Sequence, residues 1–255
     1  MTETPAPKNT IFGIDIGIDI SSFTKKIISY RKRLSKRNLL IEFGKDYLSY
    51  GEAKYVNNQI NFNKVDRVEL DQEILEKGAP NDPREMGNFL AQIIEEEKIY
   101  AQRVTVVLPP EASLSKVVYL PQELSYENAR EYILNSKSGF QFPIPLKNTD
   151  FDLIPIYRSK QLKNEIFNAY FITSIPKKVT DNIIKTLQIA GLELSRLEVA
   201  FTSQIRLLYE QINELDYSEY IVLLELNKDC SYFNVIGKMG INKVDRITGI
   251  RDLIF

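Results

Sequence analysis

Residues 104–156 read VTVVLPPEASLSKVVYLPQELSYENAREYILNSKSGFQFPIPLKNTDFDLIPI. The stretch opens on a short, nearly continuous apolar run, Arg103–Pro109 (RVTVVLP), the pattern of a strand buried on both faces. From Ser113 the chain changes to short alternating units. Lys116–Leu120 reads as a strand, and Ser125 stands as the N-cap of a helix reaching about Ser138, with Leu124 and Ala129 as its staple. FQFPIP is a turn punctuated by prolines, and Phe151–Tyr157 is a strand again.

Working outward, Ile166–Ile175 (IFNAYFITSI) forms a hairpin with that last strand around the polar loop RSKQLKNE. A helix over about Lys178–Ala190 stops at Gly191, and LSRLEVA returns as a strand. Upstream, RNLLIEFG, YLSYGEAKYV and QINFNKVDRVEL read as an antiparallel meander. A helix follows in NDPREMGNFLAQIIEEEK: Asp82 as N-cap, Pro83 at the first position, Glu85 at the capping-box position, and Phe89, Leu90, Ile93 and Ile94 as one apolar face. Downstream, residues 201–215 carry Ile205, Leu208, Ile212 and Leu215 in helical register. Three more strands follow, YIVLLEL, CSYFNVIG and INKVDRI. A strand meander, a helix and a strand therefore precede the residues 112–195, and a second meander begins after them.

Composition narrows the chemistry. The 255 residues are 44% apolar, enough for one large domain or two moderate ones. Lys and Arg number 33 against 34 Asp and Glu, so no long-range field draws in nucleic acid. The chain has no His and one Cys, Cys230, which excludes His general acid/base chemistry, His/Cys metal sites and intramolecular disulfides and suits a reducing, cytoplasmic setting. Cys230 reads as inert, having no His base. No metal site and no catalytic group is expected. No apolar run has the length of a membrane span, and the start, MTETPAPKNT, has an acidic residue and two prolines where a signal peptide carries positive charge. The basic stretch Phe23–Arg37 (FTKKIISYRKRLSKR) has the spacing of an amphipathic helix; it could meet an anionic surface or acidic partner, but on so short a signal it is read as a solvated surface helix or tail.

In this order of elements, the stretch at 104–156 and a second one, FITSIPKKVTDNIIKTLQIAGLELSRLEVAFTSQIRLL at 171–208, resemble PilM, the cytoplasmic actin-like family of type IV pilus assembly, itself similar to the cell-division protein FtsA. The resemblance runs over about residues 38–250, by pattern and not by a catalytic motif. It implies an α/β chain with an actin-like (ribonuclease H-like) fold, an inserted α+β subdomain and a truncated second half. The divisions it implies are 1–37, a partly disordered extension; 38–111, the first actin-like subdomain; 112–195, the insert; and 196–255, a return helix and the start of the second half.

The resemblance also places the nucleotide loops. Gly-Ile-Asp-Ile-Gly at 13–17 looks like a phosphate loop, but it lies too far upstream and a basic stretch follows it in place of a meander. It is read as a coincidence within the extension. The first phosphate loop falls instead in IEFGKDYLS, where Glu42 replaces the family's Asp, a feature closest to its cyanobacterial branch. Gly44 is the small residue kept there, while Lys45, Asp46 and Tyr47 are bulky. The second falls in VLLELNKDCSYFNVI, with Glu225 at the Asp, Asn227 at the Gly, and Lys228, Asp229 and Cys230 where small residues allow backbone approach to phosphate. Both loops are degenerate.

Two expectations follow from different classes. One is a non-catalytic cytoplasmic scaffold, peripheral at the inner membrane, that binds the N-terminal tail of a PilN-like inner-membrane protein together with other pilus assembly proteins, without nucleic acid and without a membrane span of its own. The other is an actin-like ATPase whose site is completed by sequence beyond residue 255. No cofactor is expected in the first case, and ATP with Mg²⁺ only in the second. The family's tail groove lies between the first subdomain and the insert. Its walls fall on the first meander and on Lys116–Leu134, where Tyr119, Tyr126 and Tyr132 offer aromatic surface that would serve equally in a core.

Overall fold

The computed structural model describes residues 10–11, 14–15, 37–44, 46–57, 59–71, 74–76, 78–135, 138, 140–162, 165–226 and 231–247. Near the start, β1 (Thr10–Ile11) and β2 (Ile14–Asp15) pair only with each other. Ile14 and Asp15 of the GIDIG look-alike are thus outside the first large sheet, and Gly13, Ile16 and Gly17 lie outside the described residues. The basic stretch, except for Arg37, lies outside the described residues.

The first meander is β3 (Arg37–Phe43), β4 (Tyr47–Val56) and β5 (Gln59–Glu69). Alternation on β3 sends Leu39, Ile41 and Phe43 into the core, each at most 1% exposed, and leaves Asn38, Leu40 and Glu42 on the opposite face. A short ribbon, β6 (Leu75–Glu76) with β7 (Ala79–Pro80), leads to α1 (Pro83–Glu96). The helix starts as its sequence dictates: the Asp82 carboxylate accepts from the N–H of Arg84 at 2.7 Å and of Glu85 at 3.3 Å. It stops at Lys98, which takes the left-handed conformation with φ 52°.

β8 (Arg103–Leu108) pairs parallel to β3, and further on β12 (Glu193–Val199) pairs parallel to β8. The five-stranded sheet therefore has the order β12-β8-β3-β4-β5. Helix α1 and the later helix α3 (Lys177–Ile189) pack together over one face, burying Met86, Leu90, Ile183 and Leu187 against Leu39, Ile41, Val104 and Val106. Gly87 permits this contact, because a Cβ there would sit 2.7 Å from Ile189 and 2.9 Å from the Thr186 carbonyl oxygen.

Between β8 and α3 the chain builds a second sheet, β10-β11-β9, from β9 (Leu114–Pro121), β10 (Thr149–Leu162) and β11 (Glu165–Pro176). Helix α2 (Tyr126–Leu134) covers one face through Val118, Leu120, Ala129, Ile133 and Leu153. The other face meets α4 (Ala200–Leu207), α5 (Tyr209–Glu214) and a third sheet of order β13-β14-β15, comprising β13 (Tyr220–Glu225), β14 (Ser231–Gly237) and β15 (Gly240–Ile247). Ala169, Tyr170, Phe171 and Ile172 of the central strand β11 are consecutively buried because both faces are covered.

Hydrogen bonding corrects four details of the sequence reading. Residues 112–195 are not one unit, since α3 and β12 at 177–199 belong to the first sheet; only β9, α2, β10 and β11 form the separate layer. The polar segment RSKQLKNE is largely strand, continuing β10 past a bulge at Ile156/Ser159, because cross-strand pairing with β11 outweighs its polar composition. The helix expected to reach Ser138 ends at Leu134, where Asn135 leaves helical geometry with ψ 116°. The helix of 201–215 is broken at Leu208 into α4 and α5.

Candidate functional site

The β3–β4 turn at residues 44–46 stands where the phosphate loop was expected. The Gly44 N–H donates to the Tyr47 carbonyl oxygen at 2.9 Å, and the Tyr47 side chain turns back over the glycine. A Cβ on Gly44 would lie 2.4 Å from the Tyr47 ring, so glycine here accommodates the tyrosine. The Tyr47 hydroxyl donates to Glu42 Oε1 at 3.3 Å, and the Arg67 guanidinium lies 3.9 Å from the ring centroid, with its Nε donating to Ser49 Oγ at 3.1 Å. Burial pushes the Tyr47 phenol up to about 12, and the Glu42 carboxylate adds to that push; Arg67 opposes both, and Glu225 contributes a smaller rise.

Glu225 ends β13, in the third sheet, and accepts from Gln204 Nε2 of α4 at 3.1 Å; its charge adds a small rise at Tyr47. The described part of the turn presents a phenol and the Glu42 carboxylate where a polyphosphate would need backbone N–H groups and cations. Lys45, Asn227, Lys228, Asp229 and Cys230 lie outside the described residues. Among the described residues no three His, Cys, Asp or Glu side chains are grouped to hold a metal ion.

A second feature lies where the first sheet meets the β9–β11 layer. A cavity of about 300 Å³ is lined by Ala79, Pro80, Leu114, Pro176, Val179 and Asn182, among others. Its frame is built from β7, the start of β9 and the end of β11 leading into α3. Asn182 Nδ2 ties α3 to the β7 end by donating to the Pro80 carbonyl oxygen at 2.9 Å.

The three tyrosines proposed for a groove do not converge there. Tyr119 lies on the face of β9 that packs toward β14 and β15, with the Arg158 and Lys160 cations each 5.8 Å from its ring centroid. Tyr126 and Tyr132 sit on α2, across the sheet. Tyr126 is 43% exposed and its hydroxyl is 3.5 Å from Asp152, whereas Tyr132 packs on the α2 core and donates to the Ser138 carbonyl oxygen at 3.1 Å. The cavity residues Pro80, Leu114, Pro176 and Val179 were not singled out from the sequence. They come from separate elements, and no local motif marks them.

No family model matches the chain, and no curated protein matches it. Solved structures do. A chain of the PilM-PilN type IV pilus biogenesis complex superposes with a TM-score of 0.67 at 14% identity, covering 83% of this chain and 61% of that one. This chain thus spans 61% of that protein's length. A Bacteroides thetaiotaomicron protein with an actin-like ATPase fold and unknown function gives a TM-score of 0.49 at 14% identity, covering 87% of this chain and 74% of its own. The cytoplasmic domain of EpsL, an inner membrane component of the type II secretion system of Vibrio cholerae, gives 0.48 at 10% identity, covering 83% and 71%. The fold is actin-like. Among the described residues no helix is long and apolar enough to cross a membrane.

Proposed function

We propose that the chain is a non-catalytic, actin-like scaffold of type IV pilus assembly, cytoplasmic and peripheral at the inner membrane through its partners. In this reading an extended N-terminal tail of a PilN-like inner-membrane protein lies in the cavity framed by Pro80, Leu114, Pro176 and Val179. The observation that carries it is the turn after β3: the Tyr47 ring lies over Gly44, the small residue on which close approach of a phosphate to the backbone would depend, while the junction cavity is open. The likeness to a chain of the PilM-PilN complex supports the choice of partner. Apolar walls and strand ends suit an extended peptide held by backbone pairing and side-chain pockets.

The test is a titration of the chain with the N-terminal peptide of a co-encoded single-span membrane protein, at low and high salt. Saturable binding that tolerates salt and is lost in Val179→Asp supports the scaffold. Binding abolished by moderate salt would move the attachment site to the basic segment at 25–37. The ATPase alternative is read in a parallel titration with Mg-ATP. Tight binding lost in Glu42→Ala or Glu225→Ala would establish it, and the site would then need a rearranged Tyr47.

A further inference from the structure

A second cavity, of about 340 Å³, lies on the other side of the connector 110–114, where all three large sheets meet. Its walls include Leu114 from the start of β9, Phe201 from α4 and Val244 from β15; Lys116 and Arg246 stand at its margin. One polar side chain is out of place in it. Asn234, on β14, is 2% exposed, lines this cavity, and its Oδ1 has no hydrogen-bond partner among the described residues. Its strand neighbours across the sheet are Leu223 and Val244, so the position would suit an aliphatic residue if packing were its only task. A buried acceptor left unmade is costly, and an unpartnered one facing a cavity marks where a ligand's donor would sit.

A carboxamide offers an acceptor and donors side by side, and the group that matches both is another amide. The rest of the cavity agrees. Leu114, Phe201 and Val244 give it an apolar side suited to one aliphatic side chain. β9 is an edge strand of its sheet: among the described residues no strand pairs with it beyond β11, so alternate backbone groups along Leu114–Lys116 are outside that sheet's ladder, on a strand that also packs against β15. An extended peptide laid on that edge gains ladder hydrogen bonds as well as the contact to Asn234. We infer that this three-sheet junction is a binding site for a short extended peptide, with Asn234 reading a backbone amide and the apolar wall taking the adjacent side chain. The site adjoins the cavity of the scaffold proposal, sharing Glu111, Ser113 and Leu114 with it, and does not depend on that reading. A peptide bound here touches all three sheets and holds them in one relative position.

The experiment uses the full chain and a minimal probe, N-acetyl-leucine methylamide, followed by NMR of the asparagine side-chain amides and backbone. The wild-type protein should give a saturable response centred on Asn234 and on β9. Asn234→Leu, which replaces the orphaned amide with a side chain of similar size, should remain as thermally stable as the parent and weaken the probe at least tenfold. Val244→Phe, which narrows the cavity without altering the amide, should block the probe and covers the case in which the first variant does not fold. Val179→Asp, in the other cavity, should leave the probe's affinity unchanged. An unaltered affinity in Asn234→Leu, the absence of any saturable response in the wild-type protein, or displacement of the probe by adenosine would overturn the assignment.

Discussion

Glu52 is the sharpest point at which to perturb this fold. It is 2% exposed and accepts four hydrogen bonds: Arg37 Nη1 at 2.8 Å, Asn63 Nδ2 at 3.1 Å, and the N–H groups of Tyr100 and Ala101 at 2.8 Å each. One carboxylate therefore joins the start of β3, the middle of β4, the bulged part of β5 and the turn entering β8. In Glu52→Ala, Arg37 and Asn63 are open enough to regain water, so the pair itself is worth little. The backbone N–H groups are different, because both lose their Glu52 acceptor and that of Ala101, a residue 3% exposed, is buried. Leaving such donors unmade costs about 1–3 kcal/mol each, so the variant should lose about 2–6 kcal/mol. Near 255 residues, each kcal/mol moves Tm by about 2–4 °C, and a fall on the order of 10 °C is expected. Glu52→Gln keeps one acceptor for the backbone but turns an amide toward Arg37 and Asn63, so its loss should be smaller.

The same site has a pH signature. Burial alone would raise the Glu52 carboxyl, yet hydrogen bonds from Asn63, Tyr100, Ala101 and Arg37 outweigh it and hold the group below its usual range. A depressed carboxyl stabilises the fold above its unfolded pKa, and that contribution is lost as the pH falls through the folded value. The stability gap between parent and Glu52→Gln should therefore be full at neutral pH and shrink on acidification below the ordinary carboxylate range. Denaturant melts at a series of pH values measure it. A gap below about 1 kcal/mol for Glu52→Ala, or one for Glu52→Gln that does not change with pH, would refute the reasoning.

Two further outcomes are expected. Gly87→Ala should lower Tm despite alanine's helix preference, because about 1–3 kcal/mol of crowding against Ile189 and the Thr186 carbonyl exceeds the roughly 1 kcal/mol gained in propensity; a rise in Tm would show that α1 and α3 can separate freely. Tyr47 should ionise late, near pH 12, in an ultraviolet titration, and Tyr47→Phe should remove that late component; since the folded value is raised, its stabilising effect is complete below the ordinary tyrosine range and fades as the pH climbs through it toward 12. An unchanged titration curve in the variant would mean that the Glu42 contact and the burial around the ring are not formed.

Local chemistry was enough for the elements whose causes are local. Asp82, Pro83 and the apolar face of α1 specify that helix whatever it packs against, and the alternation in RNLLIEF specifies β3 and its buried face. The order of strands and helices was legible for the same reason, and the resemblance of that order to the PilM family implied the actin-like class. What pairs with what was not. β12 joins β8 across a whole intervening sheet, so the extent of the inserted layer depends on hydrogen bonds between residues remote in sequence. Nothing local separated Tyr119 from Tyr126 and Tyr132: Tyr119 sits on β9, whose sheet is covered on both faces, and the other two sit on α2, which covers one of them, so only tertiary packing puts them on opposite sides of that sheet. The turn after β3 showed as bulky in the sequence, but only tertiary structure folds Tyr47 over Gly44 and sets Arg67 of β5 against its ring. Both cavities likewise exist only where separate sheets meet, assembled from residues such as Pro80, Leu114, Val179 and Asn234 that carry no shared spacing along the chain.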